Sequence, residues 1–317
     1  MTEHDDELTQ VADAFGLGEL RAPATFAGRG VSGRVFKMPT EGGVWAAKAL
    51  FRSAPDDNLE DEVRLQDAAR ERGVASPRSI RTATGSLVAS VGGTLWRLNE
   101  WVDFSSDRAE LFRPDRLRRV GGIAAAIHGL GLDAPGGVVA WLTSPPSPAR
   151  WAALRDDVRE SSASWAAEFM DLYPEIARLS GLAAGVTMTE PVLSHCDLGP
   201  ANFGVADDEL VVFDWERASP IPPMQELGYV LWHWCLGRGR EPFAADIVAG
   251  YRELRSVCLG VEMFACTVSS TLNFLQGCVG NAVTEQDPEA QRNVVEMLED
   301  PLTVSGLELL LDAAASG

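Results

Sequence analysis

In the stretch LSHCDLGPANFGV, residues 193–205, a histidine, an aspartate, a proline and an asparagine are spaced as H-x-D-x-x-P-x-N: His195, Asp197, Pro200 and Asn202. Soon after, LVVFDWE carries an apolar run, Leu210 to Phe213, that ends in Asp214. A carboxylate at the end of a buried strand can leave the core and reach a cleft. One carboxylate and one carboxamide oxygen brought together by a hairpin form a hard oxygen site, which magnesium takes while keeping phosphate and water as its other ligands. Asp197, held by the turn at Pro200, is then free to accept a proton from an incoming hydroxyl. The chemistry on offer is phosphoryl transfer, with Asp197 as base and Asn202 and Asp214 on the metal. By chance H-x-D-x-x-x-x-N arises in roughly 4% of chains of this length, so the spacing needs support from elsewhere. The competing reading is an ordinary hairpin whose Asp and Asn bond their own backbone.

Support comes from the first hundred residues. GRGVSG, with Gly28, Gly30 and Gly33, fits G-x-G-x-x-G. In a dinucleotide-binding fingerprint a helix follows the glycines; here RVFKM follows, a strand. A glycine-rich hairpin, Ser32 included, can instead fold over nucleotide phosphates and offer its backbone N–H groups, or it can be a plain flexible turn. Lys48, fifteen residues on in VWAAKAL, has apolar neighbours at alternating positions. A lysine on a mostly buried strand is costly unless paired, and Glu62 on the next helix is the expected partner. That pair would hold the ammonium group against the α- and β-phosphates of ATP; the alternative is a lysine on an exposed strand face.

These residues need elements to carry them. Apolar Leu8, Val11, Ala12 and Phe15 predict a short amphipathic helix closing at glycines 16 and 18. Two hairpin-linked strands and a third follow, broken by PTEGG. A helix is expected over residues 56–72, with acidic residues in its first turn and Gly73 as its stop, then two short strands in GSLVASV and TLWRLNEWV. Beyond Asp107 the pattern is largely helical: RPDRLRRVGGIAAAIHGL, a Pro-rich connector, then WAALRDDVRESSASWAAEFMDLY, and helices from residue 224 to the end. The β-like interruption is ANFGVADDELVVFDWE, with ADDE as a hairpin turn. The expected class is α+β. The expected layout is a nucleotide-binding lobe over residues 1–99, a hinge over 100–104 and a helical lobe over 105–317.

The totals narrow the function. With 317 residues and 46% apolar composition the chain can bury a large core. There is no apolar run of 18 or more, and MTEHDDELTQ is acidic where a secretory signal is basic and then apolar. A soluble, cytoplasmic protein is expected, with no membrane partner. The five cysteines show no zinc spacing. A net charge of −19 argues against nucleic acid as a partner, because a phosphate backbone needs a basic surface, and favours a cationic small molecule.

The combination of G-x-G-x-x-G, VWAAKAL, the helical glutamate before GVASP, HCDLGPAN and VVFDWE resembles the aminoglycoside phosphotransferase and choline kinase family, relatives of the protein kinases, over about residues 24–235. The resemblance implies a bilobal, protein-kinase-like fold and ATP or GTP with magnesium as cofactors. It implies Asp197 as catalytic base or hydroxyl-orienting group, Asn202 and Asp214 on magnesium, Lys48 on the phosphates and Glu62 positioning Lys48. LNEWVD looks like the interlobe hinge, with backbone groups near Glu100 and Val102 meeting the adenine edge. The implied acceptor is a hydroxyl on a small molecule, an aminoglycoside-like or other cationic one, with choline, ethanolamine, sugars and amino acids as alternatives. Two departures stand out: Cys196 where the family commonly has glycine, and Glu226 where relatives often carry aspartate. A protein kinase would need an activation loop for which DWE followed closely by helix leaves little room. A non-catalytic nucleotide-binding regulator would have lost one of the five key groups. The tryptophans 151, 165, 232 and 234 fit core packing better than a cage for an ammonium group.

Overall fold

The computed structural model describes residues 3–30, 32–51, 56–133, 136–235 and 239–316. The chain forms two compact units, residues 1–107 with 203–218, and 108–202 with 219–317.

The first unit begins with helix α1 (Glu3–Ala14), whose Leu8, Val11 and Ala12 are buried, with Phe15 one residue past its end. Strands β1 (Thr25–Arg29), β2 (Gly33–Thr40) and β3 (Gly43–Leu50) follow, then α2 (Asp56–Glu71), β4 (Ser79–Ile80), β5 (Ala89–Val91) and β6 (Thr94–Glu100). They make one antiparallel sheet in the order β1-β2-β3-β6-β4, with β5 also on β6. Successive side chains on a strand point to opposite faces, and the apolar set Phe36, Met38, Ala47, Ala49, Trp96 and Leu98 packs on α1. The same alternation sends Lys48 and Arg97, partners in the β3–β6 register, to the other face. β4 is a two-residue strand too short to leave a periodic signal.

The second unit takes α3 (Arg108–Leu111), α4 (Pro114–His128), α5 (Ala140–Thr143), α6 (Pro148–Glu160), α7 (Ala166–Ala184) and β7 (Val192–Ser194). The helical stretch over residues 151–173 is divided between α6 and α7. At the break Ser161 takes extended backbone, and its hydroxyl donates to Val158 O and accepts from Ala163 N; serine competes for backbone groups in this way. The hairpin β8 (Phe203–Ala206) and β9 (Glu209–Val212) turns through Asp207 and Asp208, both at positive φ, as a two-residue hairpin prefers. Its contacts run to the first unit: Ser105 bridges Val205, Ala75 bridges Val211, and the Phe104 and Phe213 rings lie 4.5 Å apart. The hairpin therefore groups with residues 1–107, whereas the sequence pattern kept 105–317 together.

The chain then returns to the second unit with β10 (Ser219–Ile221), which pairs with β7. Helices α8 (Pro223–Cys235), α9 (Phe243–Arg252), α10 (Ala265–Thr284), α11 (Pro288–Glu299) and α12 (Val304–Ala315) complete it. The β7–β10 pair is a second β element that the sequence pattern does not flag, because its strands are three residues long and one contains Pro220. No helix among the described residues is long and apolar enough to cross a membrane.

Candidate active site

In the first unit the site grows from the register of two strands. Lys48 and Arg97 face each other across β3 and β6, and like charges directly opposite are unfavourable unless anions lie between them. Two carboxylates do so. Glu62 on α2 takes both guanidinium nitrogens of Arg97, at 2.6 and 3.0 Å, with both side chains at most 7% exposed. Glu216, in the turn after β9, takes the Lys48 ammonium, accepts from the Ser32 hydroxyl at 2.6 Å and lies 3.7 Å from Arg97. The expected Lys48–Glu62 pair does not form. Arg97, the stronger bidentate partner for a carboxylate, occupies Glu62, and Lys48 turns to Glu216.

Burial pushes the Glu216 carboxyl upward, but Lys48, Ser32 and Arg97 outweigh it and hold the group below the ordinary carboxylate range. For Glu62 burial wins over Arg97, and its carboxyl stands above that range. Asp214 adds its negative field to both Glu62 and Arg97. Its backbone is left-handed, φ 55°, at the point where the chain leaves β9. The first unit thus gathers Ser32, Lys48, Glu62 and Asp214 around one network, through Arg97 and Glu216.

The three glycines of the hairpin differ. A Cβ on Gly33 would drive into the Ala49 carbonyl, so the sheet itself demands glycine there. A Cβ on Gly28 or Gly30 meets nothing within 4 Å. The fold leaves those two positions open. Near the expected hinge, the Glu100 N–H is given to Arg78 O and its carboxylate to the Arg78 side chain and backbone, so that N–H is not a free adenine donor. Val102 is half-buried and lies just past β6.

In the second unit the loop that carries Asp197 is fixed from α8. Glu226, fully buried, accepts from the Cys196 N–H at 2.5 Å and from the Ser194 hydroxyl, and bonds His128 Nε2 at 2.7 Å. Burial pushes its carboxyl up, yet the bonds from His128 and Ser194 bring it below the ordinary range. Cys196 sits at φ 60°, a region where glycine is unstrained and other residues are not, which is why glycine suits this position. Its thiol is buried, and burial, together with the Glu226 charge, raises it far above the usual thiol range. Cys196 is therefore inert as a nucleophile.

The Tyr229 hydroxyl donates to Asp197 Oδ1, and the Tyr229 and His233 rings lie tilted against each other with centroids 4.0 Å apart. The Asn202 amide N–H donates to the Asp197 carbonyl at 2.9 Å. That bond engages the amide nitrogen of Asn202 and leaves its carboxamide oxygen, an acceptor, to other partners. Trp234 is buried and donates to Leu198 O, and Trp151 and Trp165 are buried too, so these three serve packing. Asp197 and Asn202 are brought together here. Sequence reasoning missed Arg97, Glu216 and Tyr229. Arg97 left one signal, a lone charge inside the apolar strand TLWRLNEWV, and Glu216 stood in the quoted DWE without a role.

Residues 23–259 match the family described as phosphotransferase enzyme family. A comparison with curated proteins finds no match. Among solved structures, the chain resembles a spectinomycin phosphotransferase in complex with ADP and spectinomycin, at 15% identity over 97% of this chain and 98% of that one, TM-score 0.67. It also resembles a microcompartment-associated aminopropanol kinase, at 15% identity over 92% and 94%, TM-score 0.66. A choline/ethanolamine kinase family protein from Mesorhizobium loti gives 16% identity over 100% of both chains, TM-score 0.62. These likenesses give the fold, a protein-kinase-like one with a small antiparallel sheet and a mainly helical remainder. With its match spanning residues 23–259 of 317, the chain belongs to the phosphotransferase enzyme family and is a small-molecule kinase.

Proposed function

We propose that the protein transfers the γ-phosphate of ATP to a hydroxyl of a small cationic acceptor of the amino-sugar or amino-alcohol type. The observation that carries this reading is the meeting of the Ser32 hydroxyl and the Lys48 ammonium on one anionic group, Glu216. A glycine-hairpin hydroxyl and a strand lysine that already hold a carboxylate are chemically suited to phosphate oxygens. Gly28 and Gly30, which the fold leaves open, would let the hairpin backbone approach the phosphates. Asn202 and Asp214 would hold magnesium, which when bound neutralises charge on the β- and γ-phosphates. Asp197, oriented by Tyr229, accepts the acceptor's hydroxyl proton as the new O–P bond forms and the bond to ADP breaks. Catalysis here is positioning and charge neutralisation.

The cationic acceptor is supported by the net charge of −19, and by the ethanolamine and aminopropanol named for two of the structural neighbours. The test is a coupled ADP-release screen with Mg-ATP over aminoglycosides, amino alcohols, choline and neutral sugars. Turnover on an amine-bearing acceptor is the expected result. Nucleotide binding without turnover on any acceptor would overturn the reading in favour of a regulator. In the same assay Asp197→Asn should lower kcat by roughly 10²–10⁴-fold, while the nucleotide-induced rise in Tm stays as in the wild type.

A further inference from the structure

Along the sheet face that carries Lys48, the β2–β3–β6 register leads to one polar side chain. It sets Val35 beside Lys48, Lys48 beside Arg97, and Ala46 beside Asn99. Cross-strand partners share a face. The half-buried Val35, Ala46 and Asn99 therefore lie on the Lys48 side, opposite the apolar set packed on α1. In one direction from Lys48 the face ends at Leu50, which pairs with Gly33 next to Ser32. In the other, Ala46 stands two residues away, about 7 Å along a strand. A nucleotide with its phosphates on Lys48 and Ser32 would thus lay its base over Val35 and Ala46, small apolar side chains, with the Asn99 carboxamide at the base's edge.

The polarity of that carboxamide is set from behind. Gln66 on α2, 3% exposed, donates through Nε2 to Pro77 O at 2.8 Å and to Ser76 Oγ at 3.0 Å. A carbonyl only accepts, so this end of Gln66 is the nitrogen, and its oxygen is turned to Ser79 Oγ, 3.0 Å away. Ser79 Oγ also lies 2.8 Å from the Asn99 carboxamide. The hydroxyl has one proton, and Gln66 Oε1 takes it. With Asn99 Oδ1 toward Ser79, two acceptors would compete for that proton. A half-turn about Cβ–Cγ brings Nδ2 there instead and gives every group in the chain a partner of the right sign. The Asn99 oxygen is then directed away from β4, which pairs with β6 on the side opposite β3, and so toward Ala46.

We infer that Asn99 selects the nucleobase. Its oxygen, held outward by Ser79 and Gln66, accepts from the amino group of adenine and disfavours guanine, which carries a keto oxygen at the same place. Ser79 and Gln66 are positioning residues that act through Asn99; a carboxamide fixed the other way would select guanine. The inference deepens the phosphoryl-transfer reading and rests on it for the phosphates at Lys48.

The test is calorimetric titration of Mg-ADP and Mg-GDP into the full-length protein, without acceptor. The wild type is expected to bind ADP about tenfold or more tighter than GDP. Asn99→Leu, similar in size but without the acceptor, should weaken ADP and bring the two affinities within about threefold of each other. Ser79→Ala frees the carboxamide to rotate, and should lower the ADP/GDP preference at least about threefold, chiefly by strengthening GDP. A general loosening of the sheet would weaken both nucleotides instead. Equal affinities in the wild type, or a preference for GDP, would overturn the inference. A wild-type preference in Asn99→Leu would remove Asn99 as the selecting residue, and one in Ser79→Ala would remove the lock. Binding of neither nucleotide is a different failure, that of the phosphoryl-transfer reading, and would take this inference with it.

Discussion

Glycines 28, 30 and 33 belong to one six-residue motif, yet the structure separates their reasons for being glycine. At Gly33 the reason is steric, the Ala49 carbonyl on the neighbouring strand. At Gly28 and Gly30 no protein atom stands in the way, so glycine there serves either the chain's freedom or a ligand's approach. Alanine distinguishes the two. Gly28→Ala and Gly30→Ala are expected to be neutral, or stabilising by up to about 1 kcal/mol through the unfolded state, while raising the KM for ATP several-fold. Gly33→Ala should cost about 1–3 kcal/mol as an overpacked position. Thermal denaturation and ATP titration of the three variants read both effects, and an unchanged KM in the first two would remove them from the nucleotide site. Arg97 poses a similar question of motive. Arg97→Met leaves Glu62 buried and unpaired, and should destabilise the protein by about 3–5 kcal/mol. Adding Glu62→Gln should recover part of that loss, and a strictly additive double variant would show that the pair is not the cause.

The loop that carries Asp197 depends at the level of elements on α8, whose Glu226 ties the loop backbone at Cys196, the end of β7 at Ser194 and α4 at His128. The buried Glu226 carboxylate is matched by three partners from three elements. The Glu226 carboxyl is held below its ordinary value of 4.5 despite burial. A depressed carboxyl contributes stability that is fully present above the unfolded value and is lost as pH falls through the folded one. Denaturation midpoints should therefore drop on acidification below about pH 4.5, in part because of this group. Glu226→Gln should cost about 2–3 kcal/mol at pH 7 and flatten the acid limb. Glu62 works in the opposite sense, since its raised carboxyl is relieved on protonation, so an acid limb as steep in Glu226→Gln as in the wild type would mean that other carboxylates dominate.

Across the whole molecule, what the sequence made legible was local. Period-two alternation marked β2 and β3, helical spacing marked α1 and α2, and the two-aspartate turn marked the β8–β9 hairpin, because each pattern lies within a dozen residues. Illegible features depend on distant pairing: Arg97 faces Lys48 only through the β3–β6 register, and Glu216 reaches Lys48 from 168 positions away. The hairpin's grouping with the first unit likewise rests on Ser105 and Ala75, far upstream. Net charge is the one global property the sequence states outright, and it carries a prediction of its own. With −19 distributed over 317 residues, the protein's field attracts a cation before any contact is made, and that attraction is screened as the Debye length falls from about 10 Å at 0.1 M salt to about 3 Å at 1 M. For an acceptor carrying two amines, kcat/KM should fall roughly tenfold or more between low salt and 1 M, chiefly through KM. A neutral polyol phosphorylated by the same enzyme should show no such slope, since Mg-ATP and the chemical step are common to both. Equal salt dependence for the two acceptors would assign the effect to nucleotide or fold, and would remove charge as the basis for choosing a cationic substrate.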